Sequence, residues 1–267
     1  MAAPIRAFLV DLDGVLYQGE RLLAGARETL AWLGSRGLPF LFVTNTTSRP
    51  RRALVEKLAR LGIAADAGQI WTPPAAAARR LAGRGKAAAL PVVLYVAPAT
   101  VEDFAALPLA EPGFDGLVAA VVVGDYGERW GFTALNGAFR QLMQPSRPAL
   151  IALGMTRYWQ AEDGLRLDTG PFVAALEYAS GRRAEVLGKP APAFFAAALA
   201  QLGVGAEEAC MIGDDIRGDI GGAQDSGIRG LLVKTGKYRP GDLEGEIRPM
   251  GVIDSIADLP AWWDAQG

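Results

Sequence analysis

Short apolar runs that end abruptly in polar residues recur along the chain. Phe8-Leu9-Val10 stops at Asp11-Leu12-Asp13-Gly14, and Leu38-Pro39-Phe40-Leu41-Phe42-Val43 stops at Thr44-Asn45-Thr46. Runs of this kind, bounded by turn-forming residues, read as buried strands. Between them, residues 25–37 carry Ala26, Thr29, Leu30 and Leu33 at helical spacing and close on Gly37. Strand, helix and strand then form a βαβ unit with both polar ends on one edge. Pro50 opens another helix with Leu54, Leu58 and Leu61 along one face; Arg51, Arg52, Glu56, Lys57 and Arg60 read as its solvated face.

The alternation continues in two further series. After Thr72-Pro73-Pro74 and an alanine-rich helix at 75–81, the pattern predicts strands at 92–96, 118–123 and 150–153, with helices at 99–107, 132–143 and 171–179. From residue 183 it predicts strands at 185–187, 209–212, 230–233 and 252–253, with helices at 193–202, 220–226 and 257–264. The fold class is α/β. Residues 1–75 and 183–267 together build one parallel sheet with helices on both faces, and residues 76–182 are an inserted α/β domain.

Composition narrows the chemistry. With 27 Lys+Arg against 29 Asp+Glu the net charge is -2, and no basic stripe stands out, so nucleic acid is not an expected partner. The chain has no histidine, which removes Ser-His-Asp and Cys-His catalysis, a phosphohistidine intermediate on this chain and any His-ligated metal. Acid-base work falls to carboxylates, Lys or Tyr. The lone Cys210 sits in Ala209-Cys210-Met211-Ile212 and reads as a core thiol in a reducing, cytoplasmic setting. Residues 1–4 lack the regions of a signal peptide, and apolar runs such as 118–123 are too short to span a bilayer, so no membrane association is expected.

Four strand ends carry the polar groups: Asp11 and Asp13; Thr44 and Asn45; Gly188-Lys189-Pro190; and Gly213-Asp214-Asp215 followed by Asp219. Taken singly, each fits a turn, a helix cap or a loop. In a parallel sheet such ends converge on one crevice. Their order closely resembles that of the four motifs of the haloacid dehalogenase superfamily of phosphatases, and the large insertion between the second and third resembles its NagD-like subclass with an α/β cap. Gly170-Pro171-Phe172, Gly221-Gly222-Ala223-Gln224 and Val233-Lys234-Thr235-Gly236-Lys237-Tyr238 are similar to a branch of that subclass acting on pyrophosphate and phosphoramidates. The resemblance implies a Rossmann-like core with a cap domain.

It also implies roles. Asp11 is then the nucleophile that forms an aspartyl phosphate, and Asp13 the acid-base residue. Asp11, Asp214 and the main-chain carbonyl of Asp13 are the oxygen ligands of Mg2+, the implied cofactor. Lys189 offsets charge; Thr44 and the amides near Leu12 and Asn45, with Thr46, hold the phosphoryl oxygens; Asp219 and Asp215 orient Lys189 or a metal-bound water. In the cap, Arg157 is the candidate for a second anionic group, with a surface arginine beside packed aromatics as the equal alternative. The expected activity is Mg2+-dependent hydrolysis of a small phosphorylated metabolite: a phosphate monoester, pyrophosphate or phosphoramidate. The alternatives are a phosphotransferase or mutase acting on sugar phosphates and a non-catalytic, phosphate-binding regulator. Related caps self-associate, so a homodimer through the cap is a further expectation.

Overall fold

The computed structural model describes residues 3–84 and 89–266; residues 1 and 2, part of the leader reading, lie outside them. The chain divides into two compact units. One comprises Met1–Thr44, Leu54–Trp71 and Lys189–Gly267, the other Asn45–Ala53 and Thr72–Gly188.

The first unit is built on six parallel strands in the order Gly251–Ile253, Arg229–Val233, Ala209–Gly213, Ala7–Asp11, Phe40–Val43, Ile70–Trp71. The two central strands are buried at every position, as near-continuous apolar runs require when helices cover both sheet faces. Helix Ala26–Ser35 turns Ala26, Leu30 and Leu33 inward onto a core that includes Phe8, Val10, Phe42, Leu58, Ile212 and Leu231. Each such fully buried side chain is worth about 1.5–3 kcal/mol relative to exposure. Cys210 belongs to this core, and burial pushes its thiol up to about 12.

Helix Arg51–Arg60 departs from its expected polarity. Leu54 and Leu58 are buried as predicted, but so is Lys57, read from the sequence as solvated. It lies three residues from Leu54, on the margin of the apolar stripe, where a long stem can follow the core surface.

The second unit carries a five-stranded parallel sheet in the order Glu185–Val186, Ala149–Ala152, Ala120–Val123, Val92–Tyr95, Leu109–Ala110. Glu185–Val186 therefore does not open the last part of the first sheet, as the sequence suggested. It pairs with Ala149–Ala152, because a two-residue edge strand carries no pattern that selects its sheet. Helices Phe132–Leu142 and Thr169–Ser180 cover the sheet around Val93, Tyr95, Val121 and Leu150.

Two predicted helices take other forms. The segment expected at 99–107 is a 3-10 stretch, Pro98–Phe104, and the one expected at 220–226 starts as a π-helical turn, Ile216–Gly221, before the short helix Gly222–Asp225. Two antiparallel hairpins went unpredicted: Tyr17–Gln18 with Arg21–Leu22, and Tyr158–Ala161 with Gly164–Leu167. No helix among the described residues is long and apolar enough to cross a membrane.

Candidate active site

Parallel register sets the site. Asp11 ends its strand opposite Val43, and Val10 pairs with Ile212, so Thr44 and Asp214 each follow a strand that flanks Asp11. Lys189 reaches the same edge. Its ammonium donates to Asp11 Oδ1 and to Asp219 Oδ1, both at 2.6 Å, with all three side chains buried.

The π-helical turn brings Asp219 there. The Asp215 carbonyl accepts from both the Asp219 amide (2.9 Å) and the Ile220 amide (3.2 Å), which widens the turn. Asp219 Oδ2 then accepts from the Asp215 amide at 3.2 Å. Asp215 has a different task. Its Oδ1 caps the turn by accepting from the amides of Arg217 and Gly218, at 3.0 and 2.8 Å, and its Oδ2 lies 3.2 Å from Lys237 Nζ. Although burial pushes Asp215 up, the Gly218 amide and Lys237 hold it below the usual carboxylate range.

Asp214 is held by a loop that sequence reasoning had noted only by resemblance. Its Oδ2 accepts from the Lys237 amide at 2.7 Å; the Thr235 hydroxyl donates to the Gly14 carbonyl and ties that loop to the one after Asp11. Both loops need glycine against the carboxylate. A Cβ on Gly14 (φ 88°) or Gly236 (φ 62°) would run into Asp214. The signal was available, since Lys234-Thr235-Gly236-Lys237 directly follows the strand Arg229–Val233 on the same sheet edge. For Gly236→Ala, the left-handed strain adds to the clash. The expected result is at least about a tenfold loss of phosphatase activity, with the Mg2+ concentration for half-maximal rate shifted upward if Asp214 binds the cation, because its carboxylate is displaced from a group of aspartates capable of metal binding. A Mg2+ titration of the initial rate measures it.

The cluster is short of positive charge. Burial pushes Asp11 up to about 7 despite Lys189, and the Asp219 and Asp214 carboxylates push in the same direction. Burial likewise raises Asp214. Burial works against the Lys189 charge, but Asp11 and Asp219 outweigh it and raise the lysine above its ordinary value.

Carboxylate oxygens of Asp11, Asp214 and Asp219 all lie within 4.8 Å of one another. Asp219 spends both oxygens on Lys189 and the Asp215 amide, whereas Asp214 Oδ1 is buried with no hydrogen-bond partner. An orphaned carboxylate oxygen among hard donors fits a small divalent cation. Asp13 itself is exposed and its carboxylate is not part of this cluster.

The remaining sequence candidates divide between the units. Leu12 is buried, and its carbonyl accepts from the amides of Leu16 and Tyr17. In the second unit, Asn45 and Thr46 line a cavity of about 840 Å3, together with Trp130, Trp159, Arg166 and Asp168. Arg157 is not among the residues lining it. Arg157 is exposed, with its guanidinium 5.7 Å from the Tyr158 ring centroid, where the chain enters the hairpin strand Tyr158–Ala161.

Family models agree with this arrangement: one described as haloacid dehalogenase-like hydrolase matches residues 8–106, and a second, HAD-hydrolase-like, matches residues 186–259. The chain belongs to the haloacid dehalogenase-like hydrolases and is a phosphatase of that family. Among individual proteins, it is 41% identical over 259 residues to the phospholysine phosphohistidine inorganic pyrophosphate phosphatase of Rattus norvegicus, covering 95% of this chain and 92% of that protein. A p-nitrophenyl phosphatase from Archaeoglobus fulgidus superposes with a TM-score of 0.85 at 25% identity, over 97% of this chain and 100% of that one. NagD from E. coli K-12 shares the fold, with a TM-score of 0.82 at 23% identity over 96% of this chain and 98% of that one.

Proposed function

We propose that this phosphatase hydrolyses small phosphorylated metabolites through an aspartyl phosphate, with Mg2+ as cofactor and with P–N and P–O–P bonds among its substrates. The observation that carries the reading is Lys189 bound to Asp11 and Asp219 beside the orphaned oxygen of Asp214. Three carboxylates against one lysine leave the site short of positive charge, so it needs a cation before it can admit an anionic substrate.

Lys189 occupies Asp11 Oδ1, so Oδ2 attacks phosphorus in line as the bond to the leaving group breaks. Asp13 gives its proton to the departing oxygen or nitrogen. As a carboxylate it then takes a proton from water, whose oxygen attacks phosphorus; inorganic phosphate leaves and Asp11 is restored. Asp11, Asp214 and the Asp13 carbonyl would hold Mg2+, which when bound supplies charge neutralisation for the phosphoryl oxygens. Thr44 and the Leu12 amide donate to those oxygens. Asp219 keeps Lys189 charged and aimed, while Asp215 keeps the turn that carries Asp219.

The substrate classes rest on the relative's name; the absence of histidine leaves acid-base work to carboxylates, Lys or Tyr, and carboxylates are what cluster at this site. The test is phosphate release from pyrophosphate, phospholysine and p-nitrophenyl phosphate, with Mg2+ and after chelation. We expect turnover only with the cation, and undiminished turnover in the chelated protein would refute the metal assignment.

A further inference from the structure

Among the described residues two lysines are buried, Lys189 and Lys57, and the proposed reaction uses only the first. Lys57 Nζ sits 4.0 Å from the centroid of the Tyr17 ring and 3.4 Å from Glu20 Oε1. An aromatic face and one carboxylate thus replace the water that a lysine ammonium normally keeps. The two partners belong to one short element: Tyr17 begins, and Glu20 turns, the hairpin of Tyr17–Gln18 with Arg21–Leu22.

That hairpin is the continuation of the loop that carries Asp13. The Tyr17 carbonyl accepts from the Gly14 amide at 2.7 Å, and the Tyr17 amide donates to the Leu12 carbonyl at 3.3 Å. The two bonds bracket Asp13, which is exposed and forms an isolated bridge with Tyr17. Whatever anchors Tyr17 therefore sets where the Asp13 backbone lies. Tyr17 is 4% exposed, and the Lys57 ammonium lies over its ring.

We propose that Lys57 is a positioning residue for Asp13. Its ammonium, held between the Tyr17 ring and Glu20, pins the hairpin at 17–22 to helix Arg51–Arg60 and so holds the loop at 11–17 in the conformation that proton transfer requires. The inference rests on the acid-base reading of Asp13. It makes a distinction that a merely structural lysine would not. Losing the clamp should slow the reaction where the leaving group must be protonated as its bond to phosphorus breaks. It should matter little where the leaving group departs as a stable anion.

The experiment compares kcat/KM for p-nitrophenyl phosphate, which needs little protonation, with kcat/KM for glycerol 2-phosphate, whose alkoxide needs a proton. The ratio of the two is measured in wild-type protein and in Lys57→Met, Lys57→Arg and Asp13→Asn. We expect the ratio to rise about tenfold in Lys57→Met, through kcat rather than KM, and to stay within about twofold of wild type in Lys57→Arg, which keeps a cation over the ring. Equal losses on both substrates in Lys57→Met overturn the proposal, because that is the signature of a smaller folded fraction. Should Lys57→Met not fold, Glu20→Gln, at an exposed carboxylate, is expected to raise the ratio about threefold, and an unchanged ratio overturns the proposal. A steep ratio in Asp13→Asn with a flat one in Lys57→Met removes the role of Lys57 alone. A flat ratio in Asp13→Asn removes the acid-base reading and this inference with it.

Discussion

Asp11→Asn is expected to release no measurable phosphate from p-nitrophenyl phosphate and to take up no covalent phosphate from it. Asn presents an amide where the proposed reaction needs a carboxylate oxygen, so the loss should reach at least about 10^4-fold, the scale seen when a nucleophile is removed. The stability consequence runs the other way. Asp11 is buried against the pull of Lys189, and burial already holds it up to about 7. Asn relieves that cost, while Lys189 keeps its 2.6 Å contact with Asp219. The melting temperature should therefore be retained or slightly raised as activity vanishes. A rate assay and a thermal melt on one preparation check both. Turnover near wild type would sink the nucleophile assignment, and a large fall in melting temperature would show that the lost rate reflects unfolding.

Lys189→Met should be damaging on both counts. Its ammonium is the only cation that the described structure places between Asp11 and Asp219, at 2.6 Å from each. Removing one partner of a buried ion pair leaves the other uncompensated, at a cost of about 3–5 kcal/mol. Methionine fills much of the lysine stem's volume, so the expected defect is one of charge rather than packing. In Mg2+-free buffer the sign with pH follows from Asp11. Its folded-state value is already raised by burial, and loss of Lys189 raises it further. A carboxylate with a raised folded-state value contributes stability below its unfolded-state value and loses it as pH rises through the folded one. The gap between variant and wild type should thus be smallest in mild acid and widen through neutrality and above. Denaturant melts across that range measure it, and a pH-independent gap would mean that the carboxylates are not what Lys189 stabilises. The accompanying loss of kcat should be on the order of 10^2–10^3-fold, as for removal of one preorganised charge in a water-poor site.

Much of the site was legible in the chain because of one rule of architecture. Apolar runs ending in Asp11, Thr44 and Asp214 can be found by eye, and parallel strands bring such ends to one edge. Lys189 and Asp219 were harder, since neither ends a strand of the first sheet; their order along the chain located them. The division of labour between Asp215 and Asp219 was not legible. Adjacent carboxylates on one turn look alike until the π-helical geometry sends Asp219 to Lys189 and leaves Asp215 capping amides. Arg157 was a fair candidate by charge; it sits just before an exposed hairpin strand, and the arginine that lines the cavity is Arg166 on the partner strand of that hairpin.

What the sequence determined by itself is therefore the α/β class with its parallel core sheet, and the apolar runs that end at Asp11, Thr44 and Asp214. Hydrophobic periodicity and strand-end polarity are local, and they survive without coordinates. The tertiary structure decided which sheet receives Glu185–Val186, which oxygen of Asp214 is left unpaired, and that Lys57 is buried over Tyr17. Each of those depends on contacts between residues distant in the chain or on the margin of an apolar stripe. There the pattern of residue types is degenerate, and only the packing of neighbouring elements selects one outcome.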